Sequence, residues 1–305
     1  MRKLLVRNTI FTLLAAAMLA ASSAASAAAS NPLTPALAAP TQREALQAQI
    51  AAWAQGLASA PGFESFGLAE IELMPLGPGT HGWLALLKSR ADAKVVGYMV
   101  VHAQASGGYQ LSEYGIGEYP LFAEQTLREG LNRLELIARH DKKPLRVERL
   151  YPNAMLAAWR ISDPDAPRAD AIYLDAKTGE QLPIDDSDWA AQLNALEPAE
   201  AIVSQQLISI VSTVVAEEPL DPYARMPWLT RQPLTMRGPA DAAAKLQAGA
   251  ELRVVSEWFH EQYLHVLPLA AVQQWNDGTA YAAVDQEGLR FLPYPFIERY
   301  AQLYD

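Results

Sequence analysis

The sequence predicts an α+β fold in which helices pack on a mostly antiparallel sheet. The order of elements carries that expectation: an amphipathic helix, a group of strand-like runs, a second helix and further strand-like runs, joined by short links. Composition agrees. Half of the residues (50%) are hydrophobic and 19% are charged, a balance that supplies a core and excludes a disordered or fibrous chain.

Thr41 opens the first helix with a capping box, Thr41-x-x-Glu44, which satisfies orphan amide donors at both positions. Leu46, Ile50, Trp53 and Leu57 form one apolar stripe, and Pro61-Gly62 ends it. Strands are expected at Ala69–Leu76, His81–Lys88, Val95–His102 and Tyr109–Tyr114, with Gly77-Pro78-Gly79, Ser89–Lys94 and Ser106-Gly107-Gly108 as the hairpin links. Pro120 is placed at the first position of a second helix. Leu127, Leu131, Leu134 and Ala138 give its apolar face, and Arg139-His140 suit its C-terminal dipole. Strands at Leu145–Tyr151, Ala154–Ile161 and Ala171–Asp175 follow, the last entering a turn at Ala176-Lys177-Thr178-Gly179. These elements make an α+β domain over residues 41–198.

Asp185, Asp186 and Asp188 read as solvated linker charge, since they lack the register of a calcium loop. Val203, Leu207, Ile210, Val211 and Val214, set against Gln205, Ser209, Ser212 and Ala216, predict an amphipathic helix. Pro219, Pro222, Pro227, Pro233 and Pro239 make Glu217–Pro239 an extended connector, so residues 199–239 are helix plus connector and the domain boundary falls between Pro198 and Pro239. A smaller C-terminal α+β domain spans 240–305. It contains helices at Ala240–Ala248 and Glu251–Leu264, then a hairpin joining Val272–Trp275 to Ala280–Asp285 through Asn276-Asp277-Gly278, and a second turn at Gln286-Glu287-Gly288 into Leu289–Leu292.

Gly97-Tyr98-Met99-Val100-Val101, followed by Gly108-Tyr109 and Glu113-Tyr114-Gly115, resembles the strand pair of proregion-like domains in secreted bacterial cysteine peptidases of the streptopain and staphopain type. Ile172–Glu180 resembles the terminal hairpin of PepSY-type domains. The likeness covers about residues 41–184, and it implies a helix on an antiparallel sheet with an inhibitory or chaperone-like binding role. Arg237-Gly238-Pro239-Ala240-Asp241-Ala242-Ala243-Ala244 resembles the nucleophile helix of papain-fold peptidases, with Arg237 where that family has its cysteine. That likeness implies a relative whose nucleophilic catalysis is lost.

Residues 1–29 read as a signal peptide: Arg2, Lys3 and Arg7, an apolar run from Ile10 to Leu19, and the small-residue stretch Ala20–Ala29 with two A-x-A sites. A retained anchor is the alternative, but the run is shorter than the roughly 20 residues a bilayer span needs. Cleavage is expected near Ala28 or Ser30, leaving a flexible leader over 30–40. The mature chain is expected to be secreted, soluble and without a membrane span. There is no cysteine, which excludes disulfides, thiolate metal sites and cysteine nucleophiles. With 34 acidic residues against 24 basic ones, the chain lacks the basic face that nucleic acid requires.

Tests for known chemistry come out negative. His260 and His265 are five apart, about 140° around a helix, where a zinc helix needs four. No G-x-S-x-G elbow occurs, Lys177-Thr178 has no preceding glycine of a phosphate loop, and Gly115-Ile116-Gly117 lacks a third glycine. The acidic pair Glu113/Glu118 has no readable separation in space. Trp53, Trp83 and Trp159 are expected in the core, whereas Tyr223 and Trp228 in the connector are candidate binding residues, along with a strand edge near Val95–His102. No catalytic, cofactor-binding or metal-ligating residue is assigned. The resulting expectation is an exported binding protein without catalysis, meeting a peptide or a secreted or cell-envelope protein; a carboxylate-based extracytoplasmic hydrolase is the alternative.

Overall fold

The computed structural model describes residues 40–77, 80–137, 144–166, 169–196 and 208–305, with side chains from 42 onward. The signal peptide, residues 30–39 of the leader, the Thr41 side chain, the Pro78-Gly79 link and the helix end at Ala138, Arg139 and His140 lie outside the described residues; the first helix begins at Pro40, one residue before the expected opening at Thr41.

Four strands follow the first helix, α1 (Pro40–Leu57), and a short 3-10 turn at Glu64–Leu68. They are β1 (Glu70–Leu76), β2 (Gly82–Lys88), β3 (Val95–Ala103) and β4 (Tyr109–Ile116), paired antiparallel in chain order. Apolar runs bounded by turns encode them directly. Helix α2 (Glu124–Arg133) leads to a separate three-stranded sheet of β5 (Arg146–Leu150), β6 (Ala158–Ser162) and β7 (Ile172–Asp175). After α3 (Asp186–Ala195) come β8 (Ile210–Val215), α4 (Pro227–Thr230), α5 (Pro239–Gln247), β9 (Arg253–Trp258), β10 (Tyr263–Trp275), β11 (Ala280–Asp285), β12 (Leu289–Pro293), α6 (Tyr294–Tyr300) and β13 (Gln302–Tyr304). The fold is α+β, as the sequence predicts.

One antiparallel sheet of ten strands organises the described residues, in the order β1-β2-β3-β4-β12-β11-β10-β9-β13, with β8 alongside the second half of β10. It runs straight across the expected boundary between 41–198 and 240–305, because β4 pairs with β12. The C-terminal strands therefore extend the N-terminal sheet. On one face α1 and the 3-10 turn bury Leu46, Ile50, Trp53, Phe63 and Phe66 against Leu87, Met99, Val101, Tyr114 and Tyr281. On the other, the three-stranded sheet and its helices bury Phe122, Tyr151, Trp159 and Tyr173 against Leu84, Val100, Val284 and Leu292. Trp53 and Trp159 are core residues, and Trp83 is half-buried against Tyr109.

Several expectations are corrected. The residues Ile210–Val215 form strand β8 on β10, where the sequence predicts a helix; five of the six are β-branched, and side-chain packing on a ladder outweighs the weak helical stripe. Residues 203–207 of that element are not described. The expected helix Glu251–Leu264 is a hairpin. Phe259, His260 and Glu261 all take positive φ (55°, 54° and 69°), and a turn with no glycine is hard to anticipate. Helix α2 begins at Glu124 and not at Pro120, because Phe122 has φ 57° and its N–H bonds Ala176 O at 3.0 Å. Asp185, Asp186 and Asp188 are not linker charge: Asp185 caps α3 in a reciprocal box with Asp188. Finally, β3 is flanked by β2 and β4, so Val95–His102 is no sheet edge.

Candidate functional site

The β4–β12 junction carries the most concentrated polar chemistry. A register shift between Val100 and Val101 in the β3–β4 ladder leaves Ser112 as an extra residue on β4. A bulge of this kind re-aims side chains, and here Ser112 and Glu113 serve the same side of the sheet. Glu113 is fully buried (0%). It accepts from Arg290 Nε at 2.8 Å, from Arg290 Nη2 at 3.0 Å, from Tyr151 Oη at 2.8 Å and from the Tyr98 hydroxyl. Arg290 also donates to Ala154 O and to Gln286 Oε1, and Gln286 Nε2 lies 3.0 Å from His265 Nε2.

Electrostatics hold Arg290 and the two phenols each in one protonation state. Burial works against the Arg290 charge, but Glu113 and the two phenols outweigh it and hold the guanidinium above its ordinary pKa. Burial, and then the Glu113 charge, pushes the phenols of Tyr98 and Tyr151 well up, so both remain donors. Burial lowers His265 to about 4, and its Nδ1 has no partner among the described residues. Lys177, also buried, is lowered to about 8, first by desolvation and then by Arg290, and donates to Tyr119 O.

Tyr151 connects this interior to a cavity of about 710 Å³. Its lining includes His102 and Ser112 from β3 and β4, Tyr151 and Asn153 from the β5–β6 link, and Phe296 and Arg299 from α6. His102 Nδ1 lies 2.7 Å from Ser112 Oγ, and burial lowers the imidazole to about 4, so it is neutral near pH 7. Asn153 Oδ1 accepts from the N–H groups of Met155 (2.9 Å) and Leu156 (3.0 Å). Those two bonds settle which side-chain atom is oxygen. Asn153 Nδ2 is then a buried donor, and it has no partner among the described residues. The wall offers neutral hydrogen-bonding groups between apolar surfaces, with Glu298 and Arg299 exposed at the rim.

The residues singled out in the connector lie elsewhere. Tyr223 (57% exposed) and Trp228 meet edge to face at 6.1 Å, but Trp228 is half-buried against Val255, Val266 and Tyr304. Neither lines the cavity. The connector itself is pinned: buried Arg253 donates to Pro222 O at 3.0 Å and Ala224 O at 3.1 Å, and Leu234 N–H bonds Leu303 O at 2.8 Å. His260 sits exposed in the β9–β10 turn and His265 is inside β10, so they share no helix face. Among the described residues no group of three or more metal-ligating side chains could hold a metal ion, and no helix is long and apolar enough to cross a membrane. Arg237, the residue in the cysteine position of the peptidase-like string, pairs with Asp241 at 3.0 Å and is exposed.

His102, Ser112, Asn153 and Arg290 are absent from the sequence-based candidates. Arg290 and Glu113 are 177 residues apart and join only through β4–β12 pairing. The Gly115-bearing strand run signals β4, but nothing local marks the bulge. Searches against protein-family models, curated proteins and solved structures return no match.

Proposed function

We propose that the chain is an exported binding protein without catalysis of its own, and that a peptide segment occupies the cavity beside α6. The observation carrying this reading is Asn153, which lines a cavity of about 710 Å³ and carries a buried Nδ2 donor without a partner among the described residues. A buried amide N–H without an acceptor costs on the order of 1–3 kcal/mol, which a ligand carbonyl removes. Main-chain carbonyls flanked by side chains suit the mixed wall of Tyr151, Pro293 and Phe296. Selection of a displayed peptide library on the purified chain is expected to enrich a sequence pattern. Asn153→Asp keeps the Oδ1 acceptor, removes the donors and is expected to lose that enrichment while folding normally. Equal enrichment on both proteins would overturn the assignment.

Hydrolysis is the second reading, and one geometry favours it: His102 Nδ1 lies within hydrogen-bond reach of the Ser112 hydroxyl. The carboxylate route is weaker, since Glu113 is already held by Arg290, Tyr98 and Tyr151. A fluorophosphonate probe separates the readings. Covalent labelling of Ser112 would replace the binding role with acyl transfer.

A further inference from the structure

A second, smaller cavity of about 400 Å³ lies between α2 and the three-stranded sheet, independent of the site above. Its wall is aliphatic at Leu127, Leu131 and Val147 and carries Arg128, Arg149 and Trp159, with Glu124 among the lining residues. Two residues of this wall carry a buried donor that has no acceptor among the described residues: Arg149 Nε and Trp159 Nε1. Trp159 is 1% exposed, and Phe122 packs edge-on against its ring at 5.1 Å and 89°, which holds the indole in one orientation. The Arg149 guanidinium sits 5.1 Å from the centroid of the same ring. Glu124 acts on Arg149 at Coulombic range but makes no ion-pair contact with it among the described residues.

A half-buried cation with an unspent N–H, beside a rigid neutral N–H, is an unfinished recognition geometry. What completes it is an acceptor that also carries negative charge. The aliphatic wall narrows the choice. A phosphate would press further charged oxygens against Leu127, Leu131 and Val147, whereas a carboxylate can spend its two oxygens on the donors and turn a hydrocarbon chain toward the leucines. We propose that this cavity binds a carboxylate carried on an aliphatic chain, accepting from Arg149 Nε and Trp159 Nε1.

Titration calorimetry of the full chain with octanoate, octanol, octylamine and inorganic phosphate tests the proposal. Octanoate is expected to bind one site and to shift the Trp159 indole N–H resonance. Octanol, octylamine and phosphate are expected to bind at least about tenfold more weakly, the worth of one charge-assisted hydrogen bond. Arg149→Gln, at a half-buried position, is expected to lose about tenfold or more in octanoate affinity. Trp159→Phe keeps most of the ring and is expected to weaken binding to a similar degree. Should that core variant fail to fold, Arg149→Gln and the four-ligand comparison still decide. Octanol or phosphate binding as tightly as octanoate, no octanoate binding, or unchanged affinity in Arg149→Gln would overturn the site. Asn153→Asp is expected to leave octanoate affinity unchanged, which separates this inference from the peptide cavity.

Discussion

The two sides of the β4–β12 junction are built by opposite means. On the α1 side, Tyr114 and Phe291 face each other across the ladder and stack at 4.7 Å and 6°, with Phe63, Trp275 and Tyr281 packed around Tyr114. One residue earlier on each strand, Glu113 and Arg290 form a buried ion pair on the opposite side. The ring cluster gains chiefly from burial. The ion pair must first offset the desolvation of two charges, so its net contribution is small even though its parts depend strongly on one another. Adhesion of the C-terminal strands therefore rests on the ring side. The polar side fixes which residues meet and holds Tyr151 at the cavity wall.

The largest expected effect comes from breaking the ion pair on one side only. Glu113→Leu or Arg290→Leu leaves a buried charge without its partner and is expected to cost about 3–5 kcal/mol in urea unfolding. The double substitution should be less damaging than either single one, because no unpaired charge remains. It should still fall short of the unsubstituted chain, since Tyr98, Tyr151 and Gln286 keep polar atoms that lose their partner. A double variant no better than the singles would show that the pair is not coupled as the geometry implies.

Acid sharpens the contrast, because among the described residues only the polar side of the junction holds imidazoles. Burial lowers His102 and His265 to about 4, below the ordinary value near 6.5. Between those values the unfolded chain binds more protons than the folded one, so stability falls as pH drops from about 6.5 to about 4. Each imidazole contributes roughly 3 kcal/mol at full amplitude. His102→Gln is expected to flatten the slope over that window, as measured by urea midpoints at pH 7 and pH 4.5. A variant with the same slope as the parent chain would place the titration elsewhere, in carboxylates that open at lower pH.

How much of this was legible follows from range. β1 to β4 announce themselves through apolar runs and glycine turns, and Asn276-Asp277-Gly278 marks the β10–β11 hairpin, with Gly278 at φ 87°. The β8 run and the Glu251–Leu264 segment mislead because short apolar runs fit both periods and their turn carries no glycine. The cavity was invisible for a different reason. Asn153, Ser112 and Phe296 come from three separate parts of the chain and acquire a common wall only after β12 closes onto β4. A single sequence reports the strands but not which strands become neighbours, and here one pairing joins the two groups of strands and assembles the site.

The smallest expected effect lies on the ring side and tests whether that side depends on packing or on polar contacts. The Tyr114 hydroxyl donates to Gln273 Oε1, which also accepts from Trp275 Nε1 at 3.1 Å. Tyr114→Phe keeps the ring against Phe291 and leaves Gln273 Oε1 one of its two donors, so the loss should be about 1 kcal/mol or less. Phe291→Leu retains an apolar side chain but removes the stacked face, which is worth about 0.5–1.5 kcal/mol beyond the area buried. Packing therefore predicts the larger loss for Phe291→Leu, read as the shift in urea midpoint at constant slope. The reverse order would mean that the Tyr114–Gln273–Trp275 bonds hold the α1 side together, and the two faces of the junction would then differ in charge but not in principle.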